Sequence, residues 1–160
     1  MTELIVTSLQ PMPKQDKPFW ITKTLEEMTQ TEWESLCDGC GQCCLIKLED
    51  EQSREVYITN VSCHLLDIDT CRCSDYPNRC ARVSTCMQIT PKNIRDFCWL
   101  PETCAYRCLS EQRSIPDWHP LVTGDQNSVH RHRVSIRSYA VSEDYIHPLQ
   151  LEMHIIRSCD

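Results

Sequence analysis

Cys37-Asp38-Gly39-Cys40-Gly41-Gln42-Cys43-Cys44 decides the reading of this chain. Four thiols fall within eight residues, spaced C-x2-C-x2-C-C, so one short loop can wrap them around a single centre. A C-x2-C pair is the common half-site for tetrahedral zinc. Three cysteines spaced two apart also match the opening run of a ferredoxin-type iron–sulfur loop. Gly39 and Gly41 suit such a loop, because glycine takes positive φ and lets backbone N–H groups turn towards sulfur. Cys43 and Cys44 are adjacent, and neighbouring side chains diverge. One ion therefore does not take both. One of the pair turns towards a second centre or into the core, and a distant cysteine completes the first.

The flanking sequence carries a resemblance. The same block, with Phe19-Trp20, Lys23-Thr24-Leu25, Glu32-Trp33-Glu34-Ser35-Leu36, Thr70-Cys71-Arg72-Cys73, Trp99-Leu100-Pro101, Thr103-Cys104-Ala105-Tyr106-Arg107 and His119-Pro120-Leu121, resembles the zinc- or iron-chelating CxxCxxCC family, in its short bacterial YcgN-like subgroup. The similarity spans about residues 18–141. It implies metal ligands among Cys37, Cys40, Cys43, Cys44, Cys63, Cys71, Cys73, Cys86 and Cys104. Nine thiols are enough for two four-ligand sites with one over. The resemblance implies no particular reaction. Cys80, Cys98 and Cys108 lie off the family's motif positions and read as buried fillers or surface thiols. The chain departs from the family's usual tail over residues 142–160, which leaves Cys159 without a role.

Composition sets the frame. The chain has 160 residues, which suggests one domain. Hydrophobic residues make up 41%, enough for a core, but aromatics are only 7%, so internal staples would help it. A net charge of −7 argues against a nucleic-acid binder and against docking on anionic lipid. The thirteen cysteines are an odd number, and the acidic start Met1-Thr2-Glu3 does not look like a secretion signal. No apolar run is long enough to span a membrane. These features read as reduced thiols in a cytoplasmic protein, where clustered cysteines bind metal or do redox work.

The expected fold class is α+β: a small, mostly helical, irregular, cysteine-rich single domain stapled by metal, with a few short strands. Residues 1–17 read as a loose arm, 18–141 as the metal-binding domain and 142–160 as a divergent tail. Phe19 and Trp20 form an apolar clip. Thr24-x-x-Glu27 and Thr29-x-x-Glu32 have capping-box form and predict helices at about 25–28 and 30–37, with Trp33 as a core anchor. Residues 55–61 have the β-branched content of a strand, and Asn60 near its end is expected to begin a turn that presents Cys63. Thr90-Pro91 predicts a helix at 91–98, and Pro101 another at 101–112, with Cys104 and Cys108 on one face. Alternation over residues 133–140 predicts a half-buried strand, with His130 to Arg133 as a basic ribbon on its solvated face. An extended Cys71-Arg72-Cys73 puts both thiols on one side. That geometry predicts that Cys71, Cys73, Cys86 and Cys104 converge with Cys63 or one of the Cys43–Cys44 pair.

Three function classes follow. One is a metal-binding protein whose thiolates chelate zinc or iron. The second is an iron–sulfur redox protein or enzyme component that uses the C-x2-C-x2-C-C loop as cluster ligands. The third is a zinc-stapled module that docks a protein partner, which the sequence does not identify. His119 and His64 read as structural residues rather than ligands. The chain has no G-x-S-x-G, phosphate loop or H-E-x-x-H, and Asp67 and Asp69 carry no catalytic mark.

Overall fold

The computed structural model describes residues 17–159. The architecture is α+β, with short helices and 3-10 turns around a small sheet and long irregular connections. The arm expected over residues 1–17 lies outside the described residues, apart from Lys17.

The chain enters through α1 (Phe19–Thr22) and a 3-10 turn, Leu25–Glu27, then α2 (Gln30–Ser35). Both capping boxes form. Glu27 accepts from the Thr24 N–H at 2.8 Å. Glu32 accepts from the Thr29 N–H at 2.8 Å, and the Thr29 hydroxyl accepts from the Glu32 N–H at 3.2 Å. Each box satisfies donors that the start of a helix leaves unpaired. Lys23 reinforces the second by an ion pair with Glu32 at 2.7 Å. The first core cluster forms here. Trp33 and Leu36 pack with Ile94, Phe97, Leu100 and Tyr106, and Phe19 and Trp20 close its edge as the expected clip. Trp33 stacks on Tyr106 at 4.7 Å and donates to the Ile89 carbonyl at 3.1 Å, so this large ring is both buried and satisfied.

β1 (Leu45–Glu49) and β2 (Val56–Ser62) form an antiparallel pair, and β2 is the centre of the main sheet. β3 (Leu66–Asp67) and β4 (Arg72–Cys73) make a separate small hairpin. After α3 (Arg79–Arg82), α4 (Ala105–Ser110), α5 (Pro120–Thr123) and α6 (Ser128–Arg131), the chain returns to the sheet. There β5 (Val141–Ser142) runs parallel to β2, and β6 (Ile155–Ser158) pairs with it antiparallel. Ile58, Thr59, Val61 and Ser62 are buried, as a β-branched strand covered on both faces should be. A second cluster of Leu45, Ile58, Leu66, Cys71 and Ile136 packs on this sheet, and Trp99 touches both clusters.

Several sequence expectations give way. Asn60 stays inside β2, where its amide donates to the Tyr139 carbonyl at 3.2 Å. No α-helix forms over 91–98. The Asn93 carboxamide oxygen takes both the Thr90 N–H, at 2.7 Å, and its hydroxyl, at 3.0 Å, and only a 3-10 turn, Ile94–Asp96, follows. That local bond competes with helical pairing. α4 starts only at Ala105, because Pro101 to Cys104 close a turn first. The expected strand over 133–140 is a loop with a 3-10 turn, Ile136–Ser138. Arg133 has φ 57°, which no strand accommodates, and the buried residues there are the neighbours Ser135 and Ile136, not alternate ones. The basic ribbon therefore lies at α6.

Candidate metal centre

The loop begins where α2 ends. Leu36 caps that helix in the helical region, and Gly39 and Gly41 follow with φ of 76° and 77°. Positive φ at both lets the chain double back, so its thiols gather on the inside of the turn. Other elements fix the loop from outside. The Ile136 N–H donates to the Cys40 carbonyl at 2.9 Å, and the Gln42 amide donates to the Val134 carbonyl at 2.8 Å.

Cys37, Cys40, Cys43 and Cys104 form one electrostatic group around Asp38. Burial pushes the Cys37 thiol up to about 12, helped by the charges of Cys43 and Asp38. Burial, then Asp38, Cys43 and Cys37, raise Cys40. Cys104, the residue that caps α4, is pushed up to about 12 by burial, with Asp38 and Cys43 adding to it. Cys43 goes the other way, to about 7, because Cys44 donates to it and Lys47 lies beside it. Cys37 and Cys43 keep accessible surface. Asp38 is 5% exposed; its Oδ1 accepts from the Cys40 N–H at 2.9 Å, and its Oδ2 is buried without a partner. A buried, unpaired carboxylate oxygen among thiols that repel one another as thiolates is an anionic pocket, and it fits a cationic centre with soft ligands.

A second group forms behind the first. Cys44 and Cys63 interact, and the Cys63 N–H donates to the Cys44 carbonyl at 2.9 Å. Burial raises the Cys63 thiol, and the Leu65 N–H opposes this while Glu143 and Cys73 add to it. Burial and then Cys80 push Cys86 up to about 11, and Cys63 contributes. The adjacent thiols do not diverge as expected: Cys44 donates to Cys43, so Cys43 lies in the first group and Cys44 links it to Cys63 in the second. His64 and Glu143 sit at the same place. The His64 N–H and the ring Nδ1 meet Glu143 Oε1 at 2.7 and 2.6 Å. Cys63, His64 and Glu143 bring one ligand atom each within 4.8 Å of one another, and no other three metal-binding side chains do so among the described residues.

The convergence expected of Cys71, Cys73, Cys86 and Cys104 does not hold. Cys104 joins the first group, and Cys73 and Cys86 the second. Cys71 has φ 54°, so Cys71-Arg72-Cys73 is not the extended segment expected. Cys71 is 4% exposed in the second core cluster, and its thiol donates to the Ile68 carbonyl at 3.4 Å. Cys108 is likewise buried and donates to the Glu102 carbonyl at 3.1 Å. Cys98 and Cys159 touch each other, Sγ to Sγ, at 2.6 Å. His119 is wholly buried: the Leu121 N–H donates to its Nδ1 at 3.1 Å, so its Nε2–H donates to the Leu36 carbonyl at 3.1 Å. Both nitrogens are used, and the residue is structural, pinning α5 to the end of α2. Sequence reasoning missed Cys80, His64 and Glu143. His64 stands beside Cys63, but Glu143 arrives from 79 residues away, and no local pattern signals it.

With this geometry in view, the comparisons are informative. A family model described as "Putative zinc- or iron-chelating domain" matches residues 36–105, a span that contains all nine cysteines of the expected ligand set. A UPF0260 protein of Pseudomonas putida is 53% identical over 91% of this chain and 97% of its own length. The chain belongs to the UPF0260 family. Other UPF0260 proteins are similar at comparable levels: one from Rhizorhabdus wittichii is 56% identical over 88% of this chain and 95% of its own. One from Caulobacter vibrioides is 58% identical over 79% and 78% respectively. No solved structure matches. This UPF0260 protein is a metal-binding protein by its chelating domain. Among its described residues, no helix is long and apolar enough to cross a membrane.

Proposed function

We propose that this UPF0260 protein is a cytoplasmic iron–sulfur protein with a second, mononuclear zinc site. In this reading Cys37, Cys40, Cys43 and Cys104 hold the cluster. Cys63, His64 and Glu143 hold the zinc, completed from Cys44, Cys73 and Cys86, with Cys80 beside them. Cys71 is excluded from both.

The observation that carries the cluster assignment is spacing. Zinc–sulfur bonds of about 2.3 Å place tetrahedral sulfurs about 3.8 Å apart. No three of Cys37, Cys40, Cys43 and Cys104 come within 4.8 Å of one another, although all four share one electrostatic group. A cluster of several iron and sulfide atoms spreads its ligand sulfurs more widely than a single ion, which favours iron–sulfur there. Such a cluster would supply one-electron transfer. In the second group Cys63, His64 and Glu143 approach within 4.8 Å of one another, which favours a single ion held by those side chains.

The chain's own residues prepare for anionic ligands. Lys47 lies beside Cys43 and donates to its carbonyl, and its charge lowers the Cys43 thiol. The Arg72 guanidinium closes over Gly39 and favours the Cys37 thiolate. Glu143 fixes the ring of His64 and limits its turning.

Anaerobic purification followed by iron, zinc and acid-labile sulfide analysis tests the assignment. The expected protein is brown, with sulfide matching iron and one zinc. A colourless protein carrying two zinc ions and no sulfide would overturn the cluster reading.

A further inference from the structure

We propose that Cys98 and Cys159 are a disulfide-forming pair that fastens the C-terminal strand across the seam between the two core clusters. Neither thiol belongs to the groups that chelate, and the pair stands on its own geometry.

The two sulfurs are in contact, although 61 residues separate them in sequence. Two independent elements fix the approach. On one side, Phe97 is buried in the first cluster and Trp99 packs against both clusters, so Cys98 lies on a short segment held at each end. On the other, the Cys159 N–H donates to the Val56 carbonyl at 2.7 Å, extending the pairing of β6 with β2. Arg157 ties the two sides together, donating to the Trp99 carbonyl at 3.2 Å. Backbone positions held by sheet pairing and core packing bring the thiols together without movement of either segment, the condition a disulfide needs.

Access is asymmetric. Cys98 is exposed and Cys159 is half-buried, with its thiol raised by burial and by the hydrogen bond from Cys98. Cys98 is therefore the thiol that meets a small-molecule disulfide such as oxidised glutathione. Its thiolate attacks one glutathione sulfur, forming a mixed disulfide and releasing one glutathione thiol. The Cys159 thiolate then attacks the Cys98 sulfur, closes the protein disulfide and releases the second glutathione thiol. Two electrons pass from the protein to glutathione, and the two protons of the protein thiols end on the released thiols.

The closed bond constrains the unfolded chain over a long loop, so oxidation stabilises the fold; loop-closure entropy predicts a rise in Tm of roughly 5–15 °C. The test treats full-length, metal-loaded protein with oxidised glutathione under anaerobic conditions, then maps its peptides without reduction after alkylating free thiols. The expected result is a cross-linked peptide containing Cys98 and Cys159, with a rise in Tm that dithiothreitol reverses. Cys98→Ser, a change at an exposed position, removes both the cross-link and the rise while retaining the metal. Free alkylation of both thiols after oxidant, or a rise in Tm that persists in Cys98→Ser, would overturn the proposal.

Discussion

Cys104 and Cys71 have the same side chain and opposite surroundings. Cys104 caps a helix and faces Asp38 and Cys43, whereas Cys71 is held in the left-handed region and donates its thiol to a carbonyl inside an apolar cluster. Cys104→Ser should lower bound iron sharply, and Cys71→Ser should leave iron and zinc per chain unchanged; metal analysis of the two purified variants decides it. A Cys71→Ser protein stripped of either metal would return that thiol to the ligand set. His119 acts at the same scale through its protons. Burial holds its imidazole below the usual histidine range, and its two hydrogen bonds require the neutral ring. The folded chain therefore binds fewer protons here than the unfolded chain. The contribution of His119 is fully present above an unfolded value of about 6.5 and is lost as pH falls through the depressed folded value. Denaturant unfolding of His119→Gln should show stability lower by about 1–3 kcal/mol at neutral pH, from the buried partners left unpaired. It should also fall less steeply below pH 6.5 than the native chain, and an unchanged slope would remove His119 as its source.

Among the elements, the turn at Gly41 fixes the position of the thiols. It has φ 77°, and a Cβ there would lie 2.9 Å from Ile136 Cγ1, a buried atom that cannot withdraw. Gly124 has a similar φ of 72° but open space around it. Both substitutions to alanine incur the left-handed penalty of about 1–2 kcal/mol. Only Gly41→Ala adds overpacking of about 1–3 kcal/mol, and it alone should reduce metal content, since it shifts Cys40 and Cys43. Equal unfolding midpoints for the two variants would contradict this. The same elements show what the sequence could carry. Both capping boxes, the β-branched run at Val56–Ser62 and the positive-φ glycines were legible, because each rests on residues within a few positions. The strand expected over 133–140 failed because alternation says nothing of a residue such as Arg133 turning to φ 57°. The turn of Cys71 to φ 54° was hidden for the same reason. Glu143 and the Cys98–Cys159 contact depend on chain segments 79 and 61 residues apart, which only tertiary packing brings together.

At the scale of the whole molecule, two core clusters meet at Trp99. The first cluster is built around Trp33 and Tyr106, the second around Ile58 and Ile136, and Trp99 bridges them with Lys47 over its ring at 4.1 Å. Arg157 and the Cys98–Cys159 contact add to that seam, and the thiol loops cross it as well: Cys37 follows α2 in the first cluster, Cys44 precedes β1 in the second, and Cys104 precedes α4 back in the first. On the ligand set proposed above, a centre held by Cys37, Cys40, Cys43 and Cys104 would tie segments of both clusters together. Structural zinc contributes on the order of 10 kcal/mol in small domains, and a whole domain is stable by only about 5–15 kcal/mol. Removing metal should thus consume most of the stability. With the metal gone, the first thiol group and the unpaired Asp38 oxygen keep Lys47 and Arg72 nearby but lose the bound cation. Under reducing, anaerobic conditions, a chelator that strips the metal should abolish the cooperative thermal transition or lower its midpoint by more than about 10 °C. Near-ultraviolet dichroism from Trp33, Trp99 and Tyr106 should fall in parallel, since those rings lie in the clusters that come apart. A demonstrably metal-free chain that keeps its midpoint and its aromatic signal would mean that the two clusters hold each other without the thiol loops.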